Sequence, residues 1–214
     1  MSAFSSRKVL VAVAAVAATA LTFSVALPAQ AASEDKTLRI AAIIPLTGGL
    51  AFLSPPEVAA LHLAVDEINA AGGVLGNKVQ LKITDSGDGD TLQIADQSAT
   101  KAIAGKADVV IGAASSGVTR SIINKITGAK ITQISMSNTA PDLTNWKDGG
   151  FYFRTAPSDL LQGKIVANQI LQDAAKNVAI IYQGTSYGKG LKDVAAATLT
   201  KGKATVKTYE FPET

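Results

Sequence analysis

From Thr37 onward the sequence alternates short apolar runs of strand length with longer segments of helical spacing, and that alternation leaves few folds open. A strand, a helix and a further strand in series close a right-handed crossover, and a chain of such units builds a parallel sheet covered by helices. Residues 37–45 (TLRIAAIIP) are almost continuously apolar, which suits a strand buried on both faces. Val58, Leu61, Val65 and Ile68 stand three or four apart and predict a helix over 56–71, with Pro56 in its first turn and Gly72-Gly73 at its end. After the Gly76-Asn77 turn, residues 79–83 alternate as a strand. Asp90 and Gln93 have capping-box spacing and open a helix over 91–104. Strands at 108–112 and 130–135 enclose a helix over 118–127.

The same rhythm resumes beyond an extended stretch at 151–155. Ser158-Asp159 caps a helix to Asp173, a strand covers 177–182, a helix 187–199 and a strand 204–211. The expectation is an α/β doubly wound parallel sheet in two lobes, the first over 33–155 and a partial second over 156–214. Two strands make a poor sheet by themselves, since an edge and an apolar face stay uncovered. The second lobe therefore reads as incomplete.

Residues 1–32 read as a cleaved secretory leader. Arg7 and Lys8 precede an apolar stretch over 9–27, Pro28 breaks it, and Ala29-Gln30-Ala31 is a small-x-small cleavage pattern. The stretch approaches the ~20 residues that span a bilayer. However, it is alanine-rich and carries Thr19, Thr22 and Ser24, and the cleavage pattern decides for removal near Ala31. Setting those two leader cations aside, the remaining basic residues nearly match the 17 acidic ones, which leaves no nucleic-acid footprint. There is no cysteine, so disulfides, thiolate metal sites, thiol nucleophiles and a lipidated N-terminus are all excluded. The expected location is periplasmic or extracellular.

In a doubly wound sheet, ligands bind in the crevice beyond the carboxyl ends of the strands. Two polar loops fall there. The first, 112–117 (GAASSG), leads into a helix whose opening amides lack intrahelical partners and attract a carboxylate. Ser115, Ser116 and Thr119 could add hydroxyls, although Ser116 alone also reads as a helix cap. The second, 137–141 (SNTAP), offers backbone carbonyls and the Thr139 hydroxyl to an ammonium, although as a string it also reads as a turn. Facing each other, the two loops suit a zwitterionic amino acid.

Several strings then resemble one family in order and spacing: IIPLTG at 43–48, AVDEINAAGG at 64–73, VIG at 110–112, Ser115-Ser116, NTAPDLT at 138–144, FRT at 153–155 and YGKG at 187–190. The chain is similar to the leucine/isoleucine/valine-binding family of ABC-importer solute receptors, with the type I periplasmic-binding-protein fold. The resemblance spans 37–211 and implies a two-lobed hinge protein that delivers a small ligand to a membrane permease, as a monomer and without a cofactor. It implies Ser115, Ser116, Ser137, Asn138, Thr139 and Tyr187 as ligand-binding residues. Ser116 and Thr139 would hold the carboxylate and ammonium, Ser137 would lend its carbonyl to the ammonium, and Tyr187 would close over the ligand from the second lobe. Two departures stand out. Leu53 occupies a position where the family often has an aromatic residue. Family members are also almost twice as long, and the part without a counterpart here normally supplies an acidic partner for the ammonium. Receptors for urea, short amides or aromatic acids share this fold and form the alternative reading.

Other chemistries find little support. His62 is the only histidine and cannot build a metal site alone. The acidic stretch 85–90 lacks EF-hand spacing and reads as a solvated loop ending in a helix cap. A serine hydrolase would need Gly-x-Ser-x-Gly around Ser115, but Ala113 stands where the first glycine belongs. A membrane sensor would need the 9–27 stretch to be retained.

Overall fold

The computed structural model describes residues 36–212; the leader expected at 1–32 lies outside them. The elements in chain order are β1 (Arg39–Ile44), α1 (Ser54–Ala70), β2 (Gln80–Asp85), α2 (Leu92–Ala104), β3 (Val109–Gly112), α3 (Ser116–Gly128), β4 (Thr132–Ser135), β5 (Tyr152–Arg154), α4 (Asp159–Gln172), β6 (Asn177–Gln183), α5 (Ser186–Lys201) and β7 (Thr205–Phe211). Short 3-10 turns cover Ala51–Leu53 and Pro141–Asn145.

The first five strands form one parallel sheet in the order β2-β1-β3-β4-β5. The apolar run of β1 lies inside the sheet between β2 and β3, with both its faces covered. Ala41 and Ile43 pack with Ala95, Ala99 and Ala102 of α2 and with Val118, Ile122 and Ile126 of α3. Ala42 and Ile44 point the other way and are equally buried, where α1 packs on β1 and β2. The order reverses between β1 and β3, so the switch-point crevice opens beyond their carboxyl ends.

β6 and β7 form a separate two-stranded parallel sheet. Its core is Ala167, Ala195, Leu199 and Ala204, with Ile170, Leu171, Val178, Ile180 and Val206 against it. Ile181, Tyr209 and Phe211 stand exposed, the uncovered apolar surface expected of so small a sheet.

One local expectation is corrected. Asp90 does not cap α2. Thr91 occupies the cap position and makes no side-chain cap bond, because its hydroxyl is engaged with Asp88 at 2.8 Å. The acidic stretch is also more than a solvated loop. Asp85 accepts from the amides of Leu46 (3.0 Å), Thr47 (3.2 Å) and Gly87 (2.9 Å) and from the Thr47 hydroxyl (2.5 Å). Asp88 accepts from Gly49 N at 3.2 Å. Together they pin the loop after β1. Burial pushes the Asp85 carboxyl up, but its four hydrogen bonds outweigh that and hold it below the usual range.

A depressed carboxylate contributes stability above its unfolded pKa of about 3.9, and that contribution is lost as pH falls through the folded value. Asp85→Asn is therefore expected to lower the urea midpoint at pH 7. The deficit against wild type should shrink as the pH is brought below about 4. An equal deficit at pH 7 and pH 3 would contradict this role.

Candidate functional site

The site begins where β3 ends, and Gly112 makes that possible. It has φ +116°, and a Cβ there would overlap the carbonyl oxygen of Ile43 on the neighbouring strand. Its peptide bond to Ala113 is cis. The chain then enters α3 through Ser115, whose extended backbone and side chain make it the N-cap; its hydroxyl accepts from Val118 N at 3.4 Å.

Ser116 is thus not the cap. Its hydroxyl is buried and accepts from the amides of Thr139 and Ala140, each at 3.3 Å. Two accepted bonds occupy both lone pairs, so the remaining capacity of this hydroxyl is as a donor.

The loop after β4 is fastened to the loop after β3 by a buried network. The Asn138 amide donates to the carbonyls of Ala113 (3.1 Å) and Ala114 (2.8 Å) and accepts from the Tyr152 hydroxyl at 2.8 Å. Ser135 Oγ donates to Ala113 O at 2.9 Å and accepts from the amides of Ser137 and Asn138. Ser137 Oγ donates to Ala114 O at 3.0 Å. Burial pushes the Tyr152 hydroxyl up to about 12, against a smaller opposing pull from Arg154, so it stays a donor.

These loops line a cavity of about 290 Å³, just under the ~300–1,000 Å³ that ligand pockets span. Ser115, Ser116, Ser137 and Thr139 line it from the first sheet, with Leu50 and Leu53 beside them. Tyr187 lines it from α5. Five of the six residues singled out in the sequence therefore meet in one cavity. Asn138 does not line it; its buried side chain instead holds the two loops together.

Gln162, Gln183 and Thr185 also line the cavity and were missed. Gln183 and Thr185 flank the strand-to-helix turn between β6 and α5, which corresponds in the second sheet to the Ser115 loop in the first. That parallel was the available signal. Gln162 carried none.

The two sheets meet at the rim of the cavity. Arg120 of α3 donates to Ser186 Oγ at 2.8 Å and pairs with Asp142 at 3.0 Å. At Gly190 of α5, an added Cβ would come within 2.6 Å of Pro141. A larger cleft of about 490 Å³ lies on the far side of Tyr187, lined by Val166, Ile170, Leu191 and Phe211. It is the uncovered flank of the two-stranded sheet and includes none of the serine and threonine loops of the first sheet.

Among the described residues no cluster of three or more His, Cys, Asp or Glu could hold a metal ion, and His62 is exposed on α1. No described helix is long and apolar enough to cross a membrane.

A family model described as periplasmic binding protein matches residues 37–214. Among curated relatives, the Leu/Ile/Val-binding protein BraC3 of Rhizobium johnstonii is 34% identical over 78% of this chain and 45% of its own length. A Leu/Ile/Val-binding protein homologue of Brucella melitensis is 33% identical over 85% of this chain and 48% of its own. The chain spans about half the length of these relatives.

A leucine-binding protein, LivK, of Thermotoga maritima superposes with a TM-score of 0.73 at 24% identity, over 83% of this chain and 49% of that one. An ABC-transporter substrate-binding protein of Desulfitobacterium hafniense, solved in complex with Leu, is 28% identical with a TM-score of 0.63, over 81% of this chain and 50% of that one. This chain belongs to the periplasmic binding protein family, among relatives of the Leu/Ile/Val-binding kind.

Proposed function

We propose that this chain is an extracytoplasmic solute-binding component of an ABC importer and that it takes a branched-chain or similar amino acid between its two sheets. The observation that carries the reading is the convergence of Ser115, Ser116, Ser137 and Thr139 from one sheet with Tyr187 from the other on a cavity of small-solute size. The amides opening α3 and the Ser116 hydroxyl supply donors for a carboxylate. The Ser137 carbonyl and Thr139 receive the ammonium, and Leu50, Leu53 and Tyr187 surround an aliphatic side chain.

On this reading, residues 33–155 and 156–214 belong to the two lobes. The leader at 1–32 is removed near Ala31, the product acts as a monomer, and the ligand passes unreacted to a membrane permease. Calorimetric titration with leucine, isoleucine and valine tests the proposal. Micromolar or tighter binding of at least one is expected. No heat from any amino acid, small carboxylate or short amide would overturn it.

The rim contact offers a second test. Exposed ion pairs contribute only about 0–1 kcal/mol to stability, and Arg120 and Asp142 are each more than 40% exposed. Arg120→Ala is expected to leave the urea midpoint almost unmoved while speeding ligand dissociation several-fold. A large stability loss with an unchanged off-rate would contradict the rim role.

A further inference from the structure

The YGKG string at 187–190 places two glycines inside α5, where glycine is unfavourable relative to alanine. Each therefore needs a reason, and the two reasons differ. A Cβ at Gly188 would run into the Gln183 carbonyl, so this glycine serves the turn from β6 into α5. The nearest atoms to a Cβ at Gly190 all belong to Pro141, on the side of the first sheet, with Cδ at 2.6 Å. Carbon atoms in ordinary contact stand ~3.5–4.0 Å apart, so any side chain at 190 must part α5 and Pro141 by roughly 1 Å. Pro141 is held on both sides. The Ala140 amide donates to Ser116 Oγ and the Ala140 carbonyl accepts from Arg154, while Asp142 pairs with Arg120. The gap is therefore opened by movement of α5.

We infer that Gly190 is a positioning residue for ligand binding: the bare backbone of α5 seats on Pro141, and this contact sets how far Tyr187 reaches into the cavity. The helix is the lever. Tyr187 lines the cavity from the first turn of α5, and Gly190 follows it by three residues, ~4.5 Å along the axis. Ser186 and Gly190 stand four apart and so share the face of α5 turned to the first sheet. Arg120 ties that face down at Ser186, and Pro141 limits its approach at Gly190. Neither Gly190 nor Pro141 lines the cavity. The contact therefore tunes affinity from outside it, for every ligand alike, and leaves selectivity untouched.

The inference rests on the proposed function for its affinity readout, and its test separates the two. Wild type, Gly190→Ala, Pro141→Ala and the double variant are each titrated with L-leucine, L-isoleucine and L-valine. Gly190→Ala should bind each of them at least tenfold more weakly, by the same factor and through faster dissociation. It should melt no lower than wild type without ligand, because alanine favours the helix. Pro141→Ala removes the Cδ and Cγ atoms that the new methyl meets, so the double variant should regain most of the lost affinity. Unchanged affinity in Gly190→Ala, or a loss that Pro141→Ala does not relieve, would overturn the role of Gly190 alone. A second readout needs no ligand. The sequence has no cysteine, so spin labels at Lys101→Cys and Lys201→Cys report one distance, from α2 to the end of α5. That distance should lengthen in Gly190→Leu, and an unchanged distance would overturn the spacing role. No binding of any amino acid by wild type would overturn the proposed function itself.

Discussion

Replacing Gly112 by alanine is expected to cost on the order of 3 kcal/mol or more, enough to deplete the folded chain at 37 °C. Two penalties act together. The residue holds φ +116°, where an L side chain is strained, and the new methyl would overlap the Ile43 carbonyl inside the central strand pair. Neither can be relieved locally, because β1 and β3 are bonded in register from Ile40 and Val109 to Ile43 and Gly112. Urea denaturation followed by far-ultraviolet circular dichroism reads the effect. A midpoint within experimental error of wild type would contradict the packing described at the end of β3.

Asn138→Ala is expected to destabilise the chain less than the Gly112 substitution but to act on binding as well. The substitution removes two donors and one acceptor from a buried network, leaving the Tyr152 hydroxyl without its acceptor. The Ala113 and Ala114 carbonyls keep Ser135 and Ser137 as donors, so the main cost is the orphaned Tyr152 hydroxyl, about 1–3 kcal/mol. Two of the six hydrogen bonds that tie the two cavity loops together run through this side chain, the others coming from Ser135, Ser137 and Ser116. Leucine affinity should therefore fall more than tenfold although Asn138 lines no part of the cavity. Full affinity in a destabilised variant would show that the loops hold their geometry without it.

The fold was legible because its signals are local. The apolar run of β1, the three-and-four spacing in α1, the Ser158 cap of α4 and the loop glycines each depend on a few neighbouring residues, and each element appears where its pattern stands. The cap of α2 failed because Asp88, three residues before Thr91, captures the Thr91 hydroxyl, and a capping-box pattern takes no account of that competition.

The site was half legible. Hydroxyl-rich loops at strand ends are visible in sequence, and Ser115, Ser116, Ser137 and Thr139 do meet. Their division of labour was not visible. Whether Ser115 or Ser116 caps α3 depends on one residue of phase, and Asn138 is a fastener because its amide reaches carbonyls of the neighbouring loop while Tyr152, fourteen residues away, donates to its oxygen. Gln162 reaches the cavity only through the packing of α4, which no spacing rule encodes.

The most direct test is a crystal structure of the chain with L-leucine. The account predicts one ligand between Tyr187 and the serine loops, its carboxylate against the opening amides of α3 and the Ser116 hydroxyl, and its ammonium at Ser137 O and Thr139. Leucine bound in the reverse orientation, or in the apolar cleft beyond Tyr187 against Val166 and Phe211, would contradict it.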